Sequence, residues 1–209
     1  MTRKLVLATN NAGKLREFKQ LLDGCGFELV TPRDLGVDFE PEETGSSFAE
    51  NATIKAVEAA AACGLVALAD DSGLEVDELG GRPGIFSARY AGADRTDPAI
   101  SEPRQLELLL GEMEGVPDEQ RTARFRCVIA IAAPGGRVQL VDGVFEGRIA
   151  YEPRGTHGFG YDPIFLLPER GVTSAELPPQ EKNRISHRGQ AAARARVLLK
   201  RMSDEDADA

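Results

Sequence analysis

The sequence has few of the residues that build disulfide frameworks or transition-metal centres. Its 209 residues include three cysteines, Cys25, Cys63 and Cys127, which are widely spaced and form no C-x-x-C pair. The two histidines, His157 and His187, are too few for a histidine-built metal centre. We therefore expect reduced cysteines and no thiolate zinc site. Any bound metal should be a hard cation held by carboxylates, Mg²⁺ or Mn²⁺.

Long apolar runs and an excess of positive charge are also missing. The longest apolar run, Val128–Ala133, is far shorter than a membrane span, and the N-terminal stretch Leu5–Ala8 is too short for a signal peptide. The chain has 25 Lys and Arg against 34 Asp and Glu, a net charge of −9. We expect a cytoplasmic protein that binds neither nucleic acid nor a membrane surface, although a local basic pocket for a small anion remains compatible with this charge.

The order of the apolar patterns predicts an α/β fold. Lys4–Ala8 is typical of a buried strand, Asn11–Leu22 of a helix and Phe27–Val30 of a second strand. The later segments predict, in chain order, a helix from a capping box at Ser47 to about Cys63, a strand Leu65–Ala69, an irregular segment Arg82–Asp97, a helix Ala99–Gly111, strands Arg124–Ala133, Val138–Val144 and Gly147–Tyr151, and a helix Gln190–Met202. The last three strands should form an antiparallel meander in a mixed sheet. We expect one domain over residues 1–209, with a disordered acidic tail at 203–209.

The turn between the first strand and the first helix has the composition of an anion site. Thr9–Lys14 places a glycine and a lysine at a helix N-terminus, where backbone amides favour phosphate. The spacing is not that of a Walker A loop, because Thr9 and Leu15 stand where that loop needs Gly and Ser or Thr. Taken alone, the segment is explained more simply by an asparagine-rich cap with a surface lysine.

Two pairs of adjacent carboxylates are candidates for a metal site. Asp70 and Asp71 follow the apolar strand predicted at Leu65–Ala69, and we place them at its end, where α/β sheets bind ligands. Adjacent carboxylates repel each other unless a cation lies beside them. Glu42 and Glu43 form the second pair, in the loop before the alanine-rich helix. A solvated acidic turn or surface loop is the alternative for both pairs.

Lysine is scarce, since only six of the 25 basic residues are lysines. Lys55 lies in the alanine-rich helix, one turn after Asn51 and on the same face. We expect this helix to be packed closely all round, and a lysine there to need an anionic partner. The alternative is an amine that extends to the protein surface.

Two segments near the C-terminus could contact a planar ligand. Gly155–Pro163 is glycine-rich and carries Phe159 and Tyr161, which either offer a ring to a base or are core aromatics of a hairpin loop. Ser186–Gly189 offers a hydroxyl, an imidazole and a guanidinium. A serine hydrolase is disfavoured because the G-x-S-x-G motif is missing. Donors for a ring carbonyl fit these side chains better.

No motif is decisive alone, but their joint order resembles the inosine triphosphate pyrophosphatase family over about Lys4 to Leu199. The motifs that carry the resemblance are Thr9–Lys14, Glu43–Gly45, Glu50–Ala52 with Lys55, Asp70–Gly73, Pro83–Ile85 with Ser87–Tyr90, Phe159–Pro163, Lys182 and Ser186–Gly189. Members of this family hydrolyse aberrant purine nucleoside triphosphates, such as ITP, dITP and XTP, to the monophosphate and pyrophosphate.

The resemblance implies an elongated α/β fold of two lobes with a central mixed β-sheet and a nucleotide cleft between the lobes, a homodimer, and dependence on Mg²⁺. It implies that Glu43 and Asp71 hold the metal and that Asp71 activates the water. The implied substrate contacts are Thr9, Asn10, Asn11, Ala12, Gly13, Lys14, Lys55, Ser72, Phe159, Gly160, Tyr161, Asp162, Lys182, His187 and Arg188.

This assignment leads to a hypothesis for catalysis and base selection. Lys14, Lys55 and Lys182 would neutralise the departing pyrophosphate, while donors of His187 and Arg188 would favour a 6-oxo purine over adenine. Whether Asp71 is a true base or only a metal ligand is left open. Two rival functions remain at this point: a Maf-type nucleotide pyrophosphatase with another base preference, and a nucleotide-binding module without catalytic activity.

Overall fold

A computed structural model describes residues 3–92 and 98–205 of the chain. Its strands are β1 Arg3–Leu7, β2 Phe27–Val30, β3 Ala67–Val76, β4 Thr122–Ala132, β5 Val138–Ile149, β6 Phe165–Leu167 and β7 Val172–Thr173. Its α-helices are α1 Ala12–Leu21, α2 Phe48–Cys63, α3 Pro98–Glu112, α4 Pro179–Ile185 and α5 His187–Glu205. Short 3₁₀ turns cover Arg33–Leu35, Gly84–Arg89, Asp118–Gln120, Asp162–Ile164 and Ser174–Glu176.

The seven strands form one mixed sheet in the order β2-β1-β3-β4-β5-β6-β7. Strand β1 pairs in parallel with β2 and β3, with Leu5 opposite Leu29 and Leu7 opposite Leu68. The crossovers that parallel pairing requires contain α1 and α2. Strand β6 pairs antiparallel with β5 and with β7. The prediction of an α/β fold with a mixed sheet is therefore confirmed.

The prediction that a strand ends before Asp70 is wrong. Strand β3 begins at Ala67 and continues through Asp70–Gly73 to Val76, so the adjacent carboxylates lie inside the strand. Gly73 allows this continuation, because a Cβ there would lie 2.4 Å from both the Gly84 carbonyl oxygen and the Ser87 Oγ. Glycine within a strand often marks such a close approach of another segment and not a strand end.

The strands predicted at Val138–Val144 and Gly147–Tyr151 are one strand, β5, so the predicted three-stranded meander contains two strands, β4 and β5. The reason is again a glycine that supports close packing. A Cβ on Gly147 would lie 2.6 Å from the Phe165 ring and 2.7 Å from the Leu166 carbonyl oxygen of β6. In the sequence this glycine has the appearance of a break.

The chain divides into two compact units, each assembled from separate segments of the sequence. Unit 1 contains residues 1–71, 127–143 and 188–209, and unit 2 contains residues 72–126 and 144–187. Strands β3, β4 and β5 each contribute residues to both units. The assignment of a single domain over residues 1–209 stays a prediction.

Unit 1 packs helices on both faces of its part of the sheet. Alternating residues of β1 face opposite ways. Leu5 and Leu7 belong to a core cluster with residues of α1 and α5, such as Phe18 and Ala195. Val6 belongs to a second cluster with the alanines of α2. A strand buried on both faces has the continuous apolar sequence seen in β1.

Helix α2 begins after the N-cap Ser47, whose side chain accepts a hydrogen bond from the Glu50 amide. The predicted capping box forms only in part, because the Glu50 carboxylate accepts from the amide and hydroxyl of Ser46 and not from Ser47. The prediction that α2 is packed all round is wrong, since Ala61 and Ala62 are exposed. Alanine does not reveal the buried face, because it is common on both faces of helices.

Unit 2 has one apolar core, formed around α3, β6 and the adjoining ends of β3, β4 and β5. The Phe125 and Phe165 rings contact each other with centroids 4.4 Å apart. Leu74, Leu109 and Tyr161 belong to the same buried cluster. The core therefore fixes the loop that carries Tyr161 in this unit.

Two further boundaries differ from the predictions. Helix α5 begins at His187, three residues before the predicted Gln190, and reaches Glu205 within the predicted acidic tail. Residues 206–209 of that tail lie outside the described residues, as do residues 93–97 of the predicted irregular segment. The described part of that segment contains the turn Gly84–Arg89. Among the residues that the structure describes, no helix combines the length and the apolar character that crossing a membrane would require.

Candidate functional site

The turn after β1 is fixed by its own asparagines. The Asn11 side chain caps α1 by accepting a hydrogen bond of 2.9 Å from the Lys14 amide. The Asn10 side chain donates to the Phe39 carbonyl at 2.9 Å and so ties the turn to the loop before α2. The Thr9 hydroxyl accepts from the Asn11 amide at 3.2 Å. The N-terminus of α1, with its dipole, is thereby held in one orientation.

Lys14 and Arg188 both contact the buried carboxylate of Asp70. The Lys14 Nζ lies 3.0 Å from Asp70 Oδ2, and Arg188 Nη2 lies 3.5 Å from the same oxygen. Arg188 also contacts Glu17 of α1, with Nη1 2.7 Å from Oε2. The Asp70 side chain is fully buried, and that of Arg188 is 3% exposed. These contacts join α1, β3 and α5 in unit 1.

Lys55 contacts two carboxylates at once. Its Nζ lies 2.8 Å from Asp71 Oδ1 and 3.0 Å from Glu43 Oε1. The Lys55 side chain is 9% exposed, so the alternative of an amine extending to the surface is wrong. Glu42, in contrast, is exposed to solvent. Of the two glutamates in the loop, Glu43 is therefore the one that belongs to this cluster.

Asn51 connects the loop before α2 with Asp71. Its side-chain oxygen accepts from the Gly45 amide at 2.9 Å, and its side-chain nitrogen donates to Asp71 Oδ2 at 3.3 Å. Gly45 is needed for this approach, because a Cβ there would lie 2.7 Å from Asn51 Oδ1. Asn51 is completely buried. The two oxygens of Asp71 thus have different partners, Lys55 and Asn51.

The two adjacent aspartates have opposite electrostatic properties. Burial raises the pKa of Asp70, but the positive charges of Lys14, Arg188 and Lys55 outweigh burial and bring this pKa well below its usual range. For Asp71, burial is again the largest influence, and Lys55 and Lys14 offset it only in part, so its pKa lies above the usual value. Asp70 is an ionised anchor, whereas Asp71 has an increased affinity for a proton.

Unit 2 contains a buried ion pair of its own. The Lys182 Nζ lies 2.5 Å from Asp162 Oδ2, and the two side chains are 4% and 3% exposed. Asp162 also accepts from the Phe159 amide and the Ser174 hydroxyl, each at 2.9 Å. The Lys182 ammonium lies 5.3 Å from the centroid of the half-exposed Phe159 ring. This cluster brings together three of the substrate contacts that the resemblance implies.

The remaining implied contacts are distributed over both units. His187 is buried in unit 2, where its ring stacks on Phe125 with centroids 4.8 Å apart. Tyr161 belongs to the core of the same unit, and its hydroxyl donates to the Ser87 carbonyl at 2.9 Å. Of the two aromatics in the glycine-rich loop, Tyr161 is therefore a core residue, and Phe159 is the more accessible one. Ser72 and Gly160 are half-buried in unit 2.

Two residues of these clusters, Glu17 and Ser174, stand in none of the sequence motifs. Asp70 and Asn51 were visible in motifs, but their partners were not. Glu17 could have been noticed because it lies one turn after Lys14 on α1. Ser174 has no signal in the sequence, because it is twelve residues from Asp162 and lies in another turn.

The fit of a divalent cation can be judged from the donor atoms. Within residues 3–92 and 98–205, no three or more His, Cys, Asp and Glu side chains group closely enough to hold a metal by themselves. Glu43 and Asp71 nevertheless both contact the Lys55 ammonium group, so their carboxylates lie close together. Carboxylate oxygens are the ligands that Mg²⁺ prefers. Magnesium is commonly held by one or two carboxylates, with substrate phosphates and water supplying the other ligands. The donor set therefore fits Mg²⁺ bound together with a phosphorylated substrate.

These features define a class of protein. A parallel β1-β3 pair with a helix N-terminus directly after β1 is typical of α/β proteins that bind phosphate groups, and Lys14 and Lys55 add positive charge beside it.

The comparisons with known proteins place the chain in a family within this class. Residues 5–197 match the model of the Ham1 family, and the chain belongs to this family. It is 54% identical over 204 residues to the dITP/XTP pyrophosphatase of Methylococcus capsulatus, with 97% of each chain covered. It is 49% identical over 197 residues to the dITP/XTP pyrophosphatase of Bacillus licheniformis, covering 94% of this chain and 98% of that one.

A solved structure is similar over the same length. The HAM1 protein from Coxiella burnetii superposes with a TM-score of 0.84 at 45% sequence identity, covering 95% of this chain and 99% of that one. The family resemblance inferred from the motifs is therefore confirmed.

Proposed function

We propose that the chain hydrolyses non-standard purine nucleoside triphosphates, ITP, dITP and XTP, to the nucleoside monophosphate and pyrophosphate. Two curated relatives of about half-identical sequence carry the name dITP/XTP pyrophosphatase. The observation that carries the proposal is the pair of buried neighbours on β3, since Asp70 anchors Lys14 and Asp71 faces Lys55 and Glu43. This arrangement supplies positive charge for a triphosphate and a carboxylate for the attacking water.

We assign phosphate binding, activation of water and metal binding to different residues of unit 1. The N-terminus of α1, with Thr9, Asn10, Asn11, Ala12, Gly13 and Lys14, binds phosphate oxygens, and Lys55 adds a second positive charge. Asp71 orients the attacking water and accepts its proton, and its raised pKa agrees with that role. Glu43 and Asp71 would hold Mg²⁺, which neutralises phosphate charge and acidifies water when bound.

The second cluster provides the contacts to the base. The half-exposed Phe159 ring, flanked by Gly160, stacks on the purine, and Lys182 is held beneath that ring by Asp162. We also propose that His187 and Arg188 donate hydrogen bonds to the 6-oxo group of the purine. Arg188 already donates to Glu17 and contacts Asp70, and these two carboxylates hold its guanidinium in place, while its five N–H donors allow it to donate to the base as well.

A panel of nucleoside triphosphates tests the function. We expect ITP, dITP and XTP to release pyrophosphate in the presence of Mg²⁺, with kcat/KM exceeding that for ATP by roughly 10²-fold. The reason is that adenine presents a 6-amino donor to the donors of His187 and Arg188, whereas a 6-oxo purine presents an acceptor. Chelation of divalent cations should abolish release with every substrate. The measurement is pyrophosphate detected by a coupled assay, with and without EDTA.

The same panel separates the alternatives. Equal kcat/KM for ITP and ATP would contradict the proposed base selection. Tight binding of ITP without release of pyrophosphate would indicate a nucleotide-binding module and contradict hydrolysis. Orthophosphate in place of pyrophosphate would show cleavage at another bond of the triphosphate.

The setting of the activity is also part of the proposal. The enzyme works as a homodimer in the cytoplasm on free nucleotides, and nucleic acid and membranes are not its partners. The net charge of −9 supports a small-molecule substrate over a polyanion. Sedimentation of the purified chain with and without ITP would test the dimer.

A further inference from the structure

The glycine-rich loop that carries Phe159 is tied to one turn at several points. The amides of Thr156 and His157 donate to the Ala175 carbonyl at 3.1 and 3.0 Å. The Thr173 hydroxyl donates to the Arg154 carbonyl at 2.8 Å. At the far end of the loop, the Ser174 hydroxyl donates to Asp162. Residues 173–176 thus contact the loop before and after Phe159.

This turn is itself held rigidly. The Thr173 side chain and the Glu176 backbone form one half of a capping box, and the Glu176 carboxylate accepts from the Thr173 amide at 2.6 Å. Thr173 and Ser174 are completely buried, and Ala175 is 1% exposed. A buried, reciprocally capped turn is a firm support for an exposed loop.

Gly155 is where the loop lies closest to the turn. A Cβ on Gly155 would lie 2.3 Å from the Ala175 carbonyl carbon and 2.4 Å from its oxygen, both backbone atoms. Its φ of +82° is also strained for any other residue. Gly171 in the same unit has a similar φ of +68°, but among the described residues no atom lies within 4 Å of a Cβ built there. The two glycines differ mainly in this contact.

We propose that Thr173 and Gly155 are positioning residues for substrate binding, and that the turn Thr173–Glu176 sets where Phe159 meets the base. The inference rests on the proposed function, because it assigns Phe159 to the base. The turn acts on Phe159 through a chain of contacts. The turn holds the loop backbone and Asp162, and Asp162 holds the Phe159 amide and Lys182. Neither Thr173 nor Gly155 touches the substrate.

The first test removes the Thr173 hydroxyl. Thr173→Val keeps the volume of the side chain but loses both the bond to Arg154 and the cap of the turn. We expect KM for ITP to rise about tenfold with kcat within about twofold of the parent, because a base contact acts equally in ground state and transition state. Thr173→Ser restores the hydroxyl and should restore KM. Equal KM values for Thr173→Val and the parent, or an equally impaired Thr173→Ser, would overturn the proposal.

The second test uses the matched glycines. Gly155→Ala should raise KM for ITP at least as much as Thr173→Val, since the added methyl overlaps the Ala175 carbonyl. Gly171→Ala carries the same backbone strain and should leave KM within about twofold. Equal KM changes in the two alanine variants would attribute the effect to strain and contradict a positioning role.

Hydrogen exchange gives a readout that does not depend on catalysis. In Thr173→Val the peptide covering residues 155–162 should exchange at least tenfold faster than in the parent, while a peptide within α1 keeps its rate. Unchanged exchange of that peptide would overturn the proposal that the turn Thr173–Glu176 positions the loop. If the parent releases no pyrophosphate from any nucleotide, the proposed function fails, and the exchange experiment still decides whether the turn positions the loop. Should Thr173→Val not fold, Gly155→Ala with its control carries the same test.

Discussion

Asp71→Asn should lower kcat for ITP by about 10²- to 10⁴-fold at saturating Mg²⁺, the range by which a positioned general base accelerates a reaction. Asparagine preserves the shape of the side chain and can still accept from Lys55, but it loses the hydrogen bond from Asn51 and cannot take a proton from water. The measurement is steady-state pyrophosphate release at several Mg²⁺ concentrations.

The stability of this variant provides its control. The folded state raises the pKa of Asp71, so folding disfavours the ionised carboxylate and a neutral amide adds no burial penalty. We therefore expect Asp71→Asn to unfold at a urea concentration near that of the parent. Near-normal turnover at saturating Mg²⁺ would contradict the role of Asp71, and a large loss of stability would leave the folded fraction as the cause of lost activity.

Asp70→Asn is the same type of substitution at the residue next to Asp71, but we expect its largest effect to be on stability. Asp70 is the fully buried partner of Lys14 and Arg188, and its removal leaves both cations without this carboxylate. Breaking a buried pair from one side typically costs about 3–5 kcal/mol in the free energy of unfolding. Urea denaturation at pH 7 measures this loss.

The pH dependence has a definite sign. Because the folded-state pKa of Asp70 is depressed, its contribution is present at neutral pH and is lost as the pH falls through that folded value. The difference in unfolding free energy between parent and Asp70→Asn should therefore shrink under strongly acidic conditions. A difference that grows on acidification would contradict the assignment of Asp70 as an ionised anchor.

An exposed ion pair of unit 1 offers a matched control. Asp142 lies 3.0 Å from Arg194, with side chains 60% and 56% exposed. Asp142→Asn removes the same carboxylate from a pair that water screens, so it should cost only a small fraction of the loss in Asp70→Asn. If both variants lose the same free energy of unfolding, burial is not the reason why the Asp70 ion pairs stabilise the fold.

Much of the fold could be predicted because its signals are local. The apolar run of β1, the Asn11 cap of α1 and the Ser47 cap of α2 are each written within a few residues. The errors concern the bounds of strands near two glycines, Gly73 and Gly147, since one predicted strand ends at Ala69 and another begins only at Gly147. Each of them lies within a strand, and the reason is a neighbour distant in the sequence, Ser87 for the first and Phe165 for the second.

The candidate site was predicted as a set of residue types without its pairings. The turn after β1 drew attention to Lys14, the scarcity of lysine to Lys55 and the family resemblance to Lys182. Each of these lysines contacts a buried or nearly buried carboxylate. The partners could not be assigned, because they lie 56, 16 and 20 residues away along the chain. The contribution of Glu17 to Arg188 was missed for the same reason.

The sequence by itself determined the α/β order of elements, the acidic and cationic residue types of the site and the family, because periodicity, caps and motif order need no knowledge of distant neighbours. The resemblance singled out Asp71, but only the tertiary structure shows a physical difference between the two adjacent aspartates, with the pKa of Asp70 lowered and that of Asp71 raised. Proton affinity depends on burial and on charges contributed by other elements, and Asp70 and Asp71, one residue apart, face different ones.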